Sequence, residues 1–286
     1  MCLSRRATFP SGTTSLDIHL SVAQQQPSKG YIQHYTYKGV YDALHTRPVA
    51  TGPRRQHGST VAFIHRPFNL DRYRVPRHAG VVLSSHKSLD EVLTTGWNVQ
   101  LAQRLGLSVD RSVCIQGYKG DPERRIGLVG PVESTEQIIL QAIHREFGAW
   151  EGCFGFTTDV SDKGDIKTTL GAPIKAVALM NAFHPEEIER VIDSAVSARF
   201  ITSAADCAQI LYLTGAVRQP GLEAVLAKGI RTVCVGHKVC EDWGIRFLAA
   251  QTRTHFPELE VVEVDEPEEP RLFPTKVAED VQQPVV

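Results

Sequence analysis

The stretch Arg-Thr-Val-Cys-Val-Gly-His-Lys-Val-Cys-Glu, residues 231–241, joins a strand pattern to a helix pattern at a glycine. Residues 232–235 are β-branched or small and apolar, as expected of a buried strand. Gly236 permits a turn that residues with a Cβ resist, and His237 and Glu241 then stand about one helical turn apart. In open α/β sheets, ligands bind beside the carboxyl ends of the strands. The stretch therefore predicts a strand–helix junction whose histidine and glutamate either bind a metal ion or only cap the helix and face water.

Similar alternation of strand and helix patterns continues on both sides of this stretch. Apolar strand patterns lie at residues 60–64, 80–84, 174–179, 210–213 and 260–264. Repeated strand–helix units with short loops predict an α/β fold with a mainly parallel sheet covered by helices. Residues 111–165 instead show short strands around one helix, which predicts a smaller inserted α+β module. The discontinuous α/β metal-binding domain would then comprise residues 59–110 and 166–265.

Local signals place several helix ends and one turn. Asn98 is predicted to cap a helix, and Ser134 with Gln137 has capping-box spacing for another. Residues 119–122, Lys-Gly-Asp-Pro, predict a turn. Residues 1–58 lack sustained periodicity, and residues 266–286 are acidic and proline-rich. Both terminal segments are predicted to be disordered.

Composition excludes several classes of function. The 286 residues are 42% hydrophobic with a net charge of −1, so no overall field recruits nucleic acid or an anionic membrane. No apolar run approaches the roughly 20 residues that span a bilayer, and no phosphate-loop or dinucleotide-binding fingerprint is present. Six cysteines without a C-x-x-C pair indicate reduced thiols in a cytoplasmic protein. Arg5 and Arg6 resemble the start of a mitochondrial transit peptide, but Asp17 argues against one.

Three predicted strands end at candidate metal ligands. His65 follows the first, His86 and Asp90 follow the second, and His237 and Glu241 follow the strand at 231–235. Imidazole and carboxylate groups suit a borderline or hard divalent ion, and converging strand ends let distant residues share one ion. Each residue also has the alternative explanation of a polar group at the edge of a sheet.

At these positions, from about residue 61 to residue 270, the sequence resembles the Ngg-one-interacting-factor-three-like family, also called the GTP cyclohydrolase I type 2 homologues. The family's His-His-Pro is similar to residues 65–67, His-Arg-Pro, and its His-Thr-x-Leu-Asp is similar to residues 86–90, His-Lys-Ser-Leu-Asp. Its Gly-x-Asn-x-x-Leu-Ala-x-x-Leu-Gly-Leu resembles residues 96–107, and its Gly-His-x-x-Ser-Glu resembles residues 236–241.

The resemblance implies one or two divalent ions (Zn, Mn or Fe) per chain and a homo-oligomer, a hexamer in the family. Carried over by position, the ligands would be His65, Asp90, His237 and Glu241, with Asp90 and Glu241 also catalytic. His86 would be an auxiliary ligand.

The sequence departs from the family pattern at two positions near this site. Arg66 replaces the second histidine of the pair, and Ala216 stands where the family's Thr-Gly-Glu has its glutamate. A guanidinium group offers only donors and cannot replace an imidazole ligand, so Arg66 either points away or holds an anionic group.

Two functions follow from the resemblance. One is a metal-dependent hydrolase acting on a nucleotide or another heterocycle, and the other is a non-catalytic protein that binds a protein partner and keeps a structural metal site. A third interpretation makes Cys240 a thiol nucleophile.

Overall fold

The computed structural model describes residues 30–33, 61–65, 81–156 and 173–264. Its strands are β1 (Gly30–Gln33), β2 (Val61–Ile64), β3 (Val81–Ser84), β4 (Val113–Tyr118), β5 (Asp121–Ser134), β6 (Gly152–Phe154), β7 (Ile174–Met180), β8 (Ile210–Thr214), β9 (Arg231–Cys234) and β10 (Val261–Val264). Its α-helices are α1 (Lys87–Val92), α2 (Val99–Arg104), α3 (Glu136–Phe147), α4 (Pro185–Ser197), α5 (Gln219–Lys228) and α6 (His237–His255). Short 3-10 helices occur at Val109–Arg111 and Ala204–Gln209.

The strands form two sheets. A four-stranded sheet has the order β10-β1-β2-β3, and all its neighbours are parallel. A six-stranded sheet has the order β4-β5-β7-β8-β9-β6. Its central strands β7, β8 and β9 are parallel, whereas β5 pairs antiparallel with β4 and β7, and β6 pairs antiparallel with β9. The predicted α/β class is confirmed, but the mainly parallel sheet is matched only in part.

The antiparallel pairing of β4 with β5 follows from the turn that joins them. Lys119 and Gly120 both have positive φ, 49° and 79°, as a tight hairpin turn requires. The turn predicted at residues 119–122 therefore forms at its first two residues, whereas Asp121 and Pro122 already belong to β5. It holds β4 and β5 side by side, and β5 then continues the sheet into β7.

Two predicted boundaries differ from the observed sheets. β1 lies within residues 1–58, the segment predicted to be a disordered extension; the rest of that segment and residues 266–286 lie outside the described residues. Residues 111–165 contribute β4, β5 and β6 to the sheet that also contains β7, β8 and β9. One sheet thus joins segments that the sequence divides between two domains.

Helices cover both faces of the six-stranded sheet. Alternate residues of its central strands point to opposite faces, so Val177 and Leu179 pack with α3 and α6, whereas Ala178 and Met180 pack with α4 and α5. Tyr212 in β8 is fully buried and donates a hydrogen bond to the Ala182 carbonyl oxygen. Nearly all residues of β7 and β8 are buried. Their sequences are therefore continuous apolar runs and lack the alternation of apolar and polar residues that is typical of a half-exposed strand.

The capping predictions have mixed outcomes. The Asn98 side chain accepts a hydrogen bond from the Leu101 backbone N–H at 2.9 Å, as predicted. The capping box at Ser134 is wrong, because Ser134 is still in β5 and pairs with β7. Thr135 caps α3 instead, and its hydroxyl accepts from the Ile138 N–H.

A close helix contact brings α1 and α6 together. Gly244 in α6 packs against the C-terminal end of α1, where an added Cβ would lie 2.4 Å from the Leu93 carbonyl oxygen. Only a residue without a Cβ allows this approach without a shift in the backbone. Asp90 in α1 and Glu241 in α6 each lie three residues before these contact points, so the contact brings their helix faces together.

Within the described ranges, no helix combines the length and apolar character needed to cross a membrane.

Candidate metal centre

His65 follows β2 directly and is completely buried. Its Nδ1 atom lies 2.9 Å from the Ser85 carbonyl oxygen, just after β3. A carbonyl oxygen only accepts hydrogen bonds, so Nδ1 must carry the proton. The Nε2 atom then faces the other way, toward the carboxylates of Asp90 and Glu241.

Two carboxylate oxygens surround that nitrogen. The His65 Nε2 atom lies 3.2 Å from Asp90 Oδ1 and 3.2 Å from Glu241 Oε1. The side chains of Asp90 and Glu241 are only 13% and 2% exposed, so water screens their charges poorly. A lone pair facing two anionic oxygens is unfavourable unless a proton or a metal ion lies among them. This arrangement therefore calls for a cation.

His237 meets the same carboxylate from the exposed side. Gly236 has φ 102°, a left-handed backbone angle that turns the chain from β9 into α6. His237 Nε2 lies 3.2 Å from Glu241 Oε1. Because His65 Nε2 lies at the same distance from this oxygen, the two nitrogen atoms can be no more than twice that distance apart.

His86 contacts the second oxygen of Asp90. His86 Nε2 lies 3.7 Å from Asp90 Oδ2, and the His86 ring stacks on the His65 ring with centroids 4.9 Å apart. Ligand atoms of His65, His86 and Asp90 lie within 4.8 Å of one another, which is close enough for a shared metal ion. His86, predicted as an auxiliary ligand, thus lies in the same group as His65 and Asp90.

The ligand separations fit a divalent ion. Two atoms bonded to one ion at about 2.1 Å lie roughly 3.0 Å apart at octahedral angles and about 3.4 Å apart at tetrahedral angles. The observed separations of 3.2 Å from His65 to Asp90 and Glu241 fall between these values. Mixed nitrogen and oxygen donors suit Zn, Mn or Fe.

Other residues singled out in the sequence contribute less to this cluster. Arg66 lies outside the described residues. Cys240 is buried, its thiol donates to the His237 carbonyl oxygen, and burial raises its pKa to about 12. A thiol that holds its proton so firmly is a poor nucleophile, which argues against the third interpretation.

A cavity of about 300 Å³ opens beside the cluster. It lies where β7, β8 and β9 end, and residues after each of these strands line it, including His184, Ala216 and His237. Asp90 and His86 also line it, whereas the buried Glu241 does not. The position agrees with the expectation that ligands bind at the carboxyl ends of parallel strands.

The cavity also contains residues that the sequence did not predict as functional. Tyr118, Lys119 and Arg124 come from the hairpin of β4 and β5, and Arg218 precedes α5. No local motif marks the three hairpin residues, because they reach the cavity only through the antiparallel pairing of β5 with β7.

Comparison with solved structures shows a shared fold. Reduced HcgD from Methanocaldococcus jannaschii has 15% identity and a TM-score of 0.52 over 84% of each chain. The protein ybgI, of unknown function, has 17% identity and a TM-score of 0.50 over 87% of this chain and 88% of its own. Hypothetical protein SA1388 from Staphylococcus aureus has 11% identity and a TM-score of 0.50 over 83% of this chain and 85% of its own. Identities this low establish the fold alone.

Comparison with curated proteins gives no match. A family model does match, over residues 74–270, and its description is Duf34/NIF3 (NGG1p interacting factor 3). The match includes four of the five clustered residues, all except His65, and it confirms the resemblance found in the sequence motifs. Since it spans more than half of the sequence, this chain belongs to the Duf34/NIF3 family.

Proposed function

We propose that this protein is a divalent-metal-dependent hydrolase whose metal ligands are His65, Asp90, His237 and Glu241, with His86 as an additional ligand. The observation that carries the proposal is the position of His65 Nε2, 3.2 Å from carboxylate oxygens of both Asp90 and Glu241. The adjoining cavity gives a substrate access to this cluster.

The two carboxylates are suited to different tasks. When bound, a divalent ion would lower the pKa of a coordinated water and polarise a carbonyl or phosphoryl oxygen. Glu241 is buried and touches two histidines, so it serves to hold the site. Asp90 lines the cavity, where its carboxylate can accept a proton from a water molecule. Asp90 is therefore the proposed general base.

Neighbouring groups hold the ligands in place. The Ser85 carbonyl oxygen fixes the orientation of His65 through Nδ1. Thr94 donates its hydroxyl to the Asp90 carbonyl oxygen at 2.6 Å, and Asn181 donates to the same oxygen at 3.2 Å. The backbone of α1 is thus anchored where it presents Asp90. Such anchoring keeps a catalytic carboxylate in position.

The substrate proposed from the family resemblance is a nucleotide or another heterocycle. The cavity volume of about 300 Å³ is at the lower end of known small-molecule sites. A small substrate fits this space, whereas a polymer would reach the ligands only through one protruding group.

A second function is favoured by one specific observation. Ala216 lines the cavity, where the family pattern has a glutamate. Loss of a carboxylate from the lining reduces the number of groups able to bind a second ion, so a non-catalytic protein with a structural metal site is the alternative. In that case a protein partner would be the functional ligand. In either case we propose self-association in the cytoplasm, in line with the family resemblance.

Elemental analysis tests the metal site. Protein purified without a metal-binding tag should contain at least one divalent ion per chain, and Glu241→Gln should contain at least one ion per chain fewer. Glu258→Gln, at an exposed position between α6 and β10, is the matched control and should leave the content unchanged. Wild-type protein that retains no Zn, Mn or Fe after dialysis against each metal would contradict the proposal.

Activity measurements separate the two functions. Metal-loaded protein should hydrolyse at least one member of a panel of nucleotides and heterocyclic amides, and Asp90→Asn should reduce kcat with less effect on KM. A bound ion with no turnover across the panel would favour the non-catalytic alternative.

A further inference from the structure

The cavity lining carries a concentration of positive charge beside the candidate metal ligands. Lys119, Arg124 and Arg218 are permanently charged at neutral pH and all line the cavity. Among the described lining residues, Asp90 is the one carboxylate, and it faces His65 and His86. The lining therefore has an excess of positive charge on residues that are not candidate metal ligands.

The hairpin that presents two of these cations is fixed to the body of the protein. Lys87 in α1 donates to Asp121 Oδ2 at 2.6 Å, which ties the β5 end of the turn to the helix that carries Asp90. Arg190 in α4 donates to the Gly117 carbonyl oxygen on the β4 side. Anchored on both strands, the hairpin holds its cations at a defined place in the cavity.

Tyr118 aligns the two hairpin cations. Lys119 Nζ lies 5.0 Å and Arg124 Cζ 5.1 Å from the centre of the Tyr118 ring, within the range of cation–π contacts. The Arg124 Nε atom is buried and has no hydrogen-bond partner in the described part of the chain. A buried donor without an acceptor is unfavourable, so Arg124 is suited to an anionic ligand.

The start of α5 adds a further electropositive group. Arg218 is the N-cap of this helix; no side chain caps the helix, and its first turn contains no acidic residue. The positive end of the helix dipole attracts anions. Ala216, close by, occupies the position where the family pattern has a glutamate. Loss of that carboxylate removes one negative charge that would repel an anion here, although the Glu151 carboxylate still accepts a hydrogen bond from the Val217 N–H at 3.4 Å.

From these observations we infer that Lys119, Arg124, Arg218 and the N-terminus of α5 form a binding site for the phosphate group of a small organic phosphate. The inference rests on the proposed function, because the same cavity gives the rest of that substrate access to the metal ligands. Guanidinium and ammonium groups beside helix N–H donors match the oxygens of a phosphate monoester. The modest cavity volume excludes a dinucleotide or a polymer lying wholly within it.

Titration calorimetry with matched probes tests this site. The probes are inorganic phosphate, a nucleoside 5′-monophosphate and the same nucleoside without phosphate. The monophosphate should bind at least tenfold more tightly than the nucleoside, and the difference should shrink as ionic strength rises. Lys119→Ala and Arg218→Ala should each weaken monophosphate binding about tenfold or more, because each removes a charge-assisted contact.

Matched variants guard against nonspecific effects. Lys175→Ala and Arg145→Ala remove equivalent charges at exposed positions outside the cavity lining and should leave phosphate binding unchanged. Metal content, measured on every variant, should stay constant in Lys119→Ala and Arg218→Ala. A loss of phosphate affinity with unchanged metal content supports the cationic site.

Three outcomes separate this inference from the proposed function. Full phosphate affinity in both cavity variants, with loss only in Glu241→Gln, would place the phosphate on the metal ion and overturn the inference. Absence of binding to wild-type protein at millimolar phosphate would also overturn it. Binding that persists in chelator-treated protein and still requires Lys119 and Arg218 would support the anion site even if the metal-dependent activity failed.

Discussion

Replacing Gly244 by alanine should destabilise the protein and weaken metal binding together. A Cβ on this residue would lie 2.4 Å from the Leu93 carbonyl oxygen, whereas ordinary contacts are 3.4–4 Å. The neighbouring atom belongs to the backbone, so relief requires α1 and α6 to separate by about 1 Å, a typical overpacking shift. That separation moves Asp90 away from Glu241.

The net change in stability is the difference between two effects. Replacing glycine by alanine in an α-helix stabilises the helix by about 1 kcal/mol. Overpacking of a close contact costs about 1–3 kcal/mol. Because the atom that the new Cβ would meet is a backbone oxygen, we expect the overpacking cost at Gly244 to lie at the upper end of this range. We expect a net loss of about 1–2 kcal/mol, or a fall in Tm of roughly 2–8 °C at 2–4 °C per kcal/mol for a chain of this size.

Metal affinity should respond more sharply than stability. His65 Nε2 lies 3.2 Å from an oxygen of α1 and 3.2 Å from an oxygen of α6. A shift of about 1 Å would stretch one of these separations beyond the roughly 3.4 Å spanned by two ligands of one ion. A competition titration with a chromogenic zinc chelator should show at least a tenfold loss of affinity.

Gly221 provides the matched control. A Cβ at Gly221 in α5 would lie 2.5 Å from the Phe183 carbonyl oxygen, an overlap of the same kind in a helix that carries no candidate ligand. Gly221→Ala should lower Tm and leave zinc affinity unchanged. A Gly244→Ala variant that is more stable than wild type and binds zinc normally would refute the role assigned to this contact.

Three further predictions concern charged groups. Arg231 and Glu136 form a buried ion pair at 2.8 Å, so Glu136→Gln should cost about 3–5 kcal/mol in urea unfolding because it leaves a buried charge uncompensated. The hydrogen bond from Lys87 lowers the pKa of Asp121 below its ordinary value of 3.8. The stability that this hydrogen bond contributes should be fully present above pH 3.8 and should be lost as the pH falls through the lowered pKa of Asp121. In unfolding experiments at stepped pH, Asp121→Asn should remove this loss of stability at acid pH. Arg66, outside the described residues, replaces a family histidine, so Arg66→His should raise the number of bound divalent ions per chain in elemental analysis; an unchanged number would show that its place is not at the metal site.

The strand–helix framework around the site could be predicted because its signals are local. The apolar run before Gly236 can only be a buried strand or a short buried helix segment, and the glycine marks its end. Strand β9 and helix α6 form as the pattern indicates. Asn98 likewise caps its helix through a side chain only three residues from its partner.

The mixed sheet could not be predicted in the same way. Whether β5 pairs parallel or antiparallel with β7 depends on contacts between segments that are far apart in the sequence. Both orientations of β5 would bury the same apolar side chains, so the hydrophobic pattern does not distinguish them. The helix α1 was missed because its six residues bury only Leu89, which is too few for a helical period to be visible. Lys119 and Arg124 were missed for a related reason: a turn sequence does not indicate which surface the turn faces.

The contacts among the clustered residues have an order that bears on how many ions the site can hold. They form an alternating series, His86 to Asp90 to His65 to Glu241 to His237, with separations of 3.7, 3.2, 3.2 and 3.2 Å. Each carboxylate lies between two imidazoles, and His65 is shared by both.

Asp90 uses a different oxygen for each of its histidines, whereas Glu241 uses one oxygen for both. A carboxylate that offers two oxygens in two directions can bridge two ions, whereas one oxygen facing two imidazoles is suited to a single ion. Asp90 is therefore the residue on which a second ion depends. Asp90→Asn should then reduce a two-ion site to one ion, while Glu241→Gln should remove the ion nearest His65 and His237.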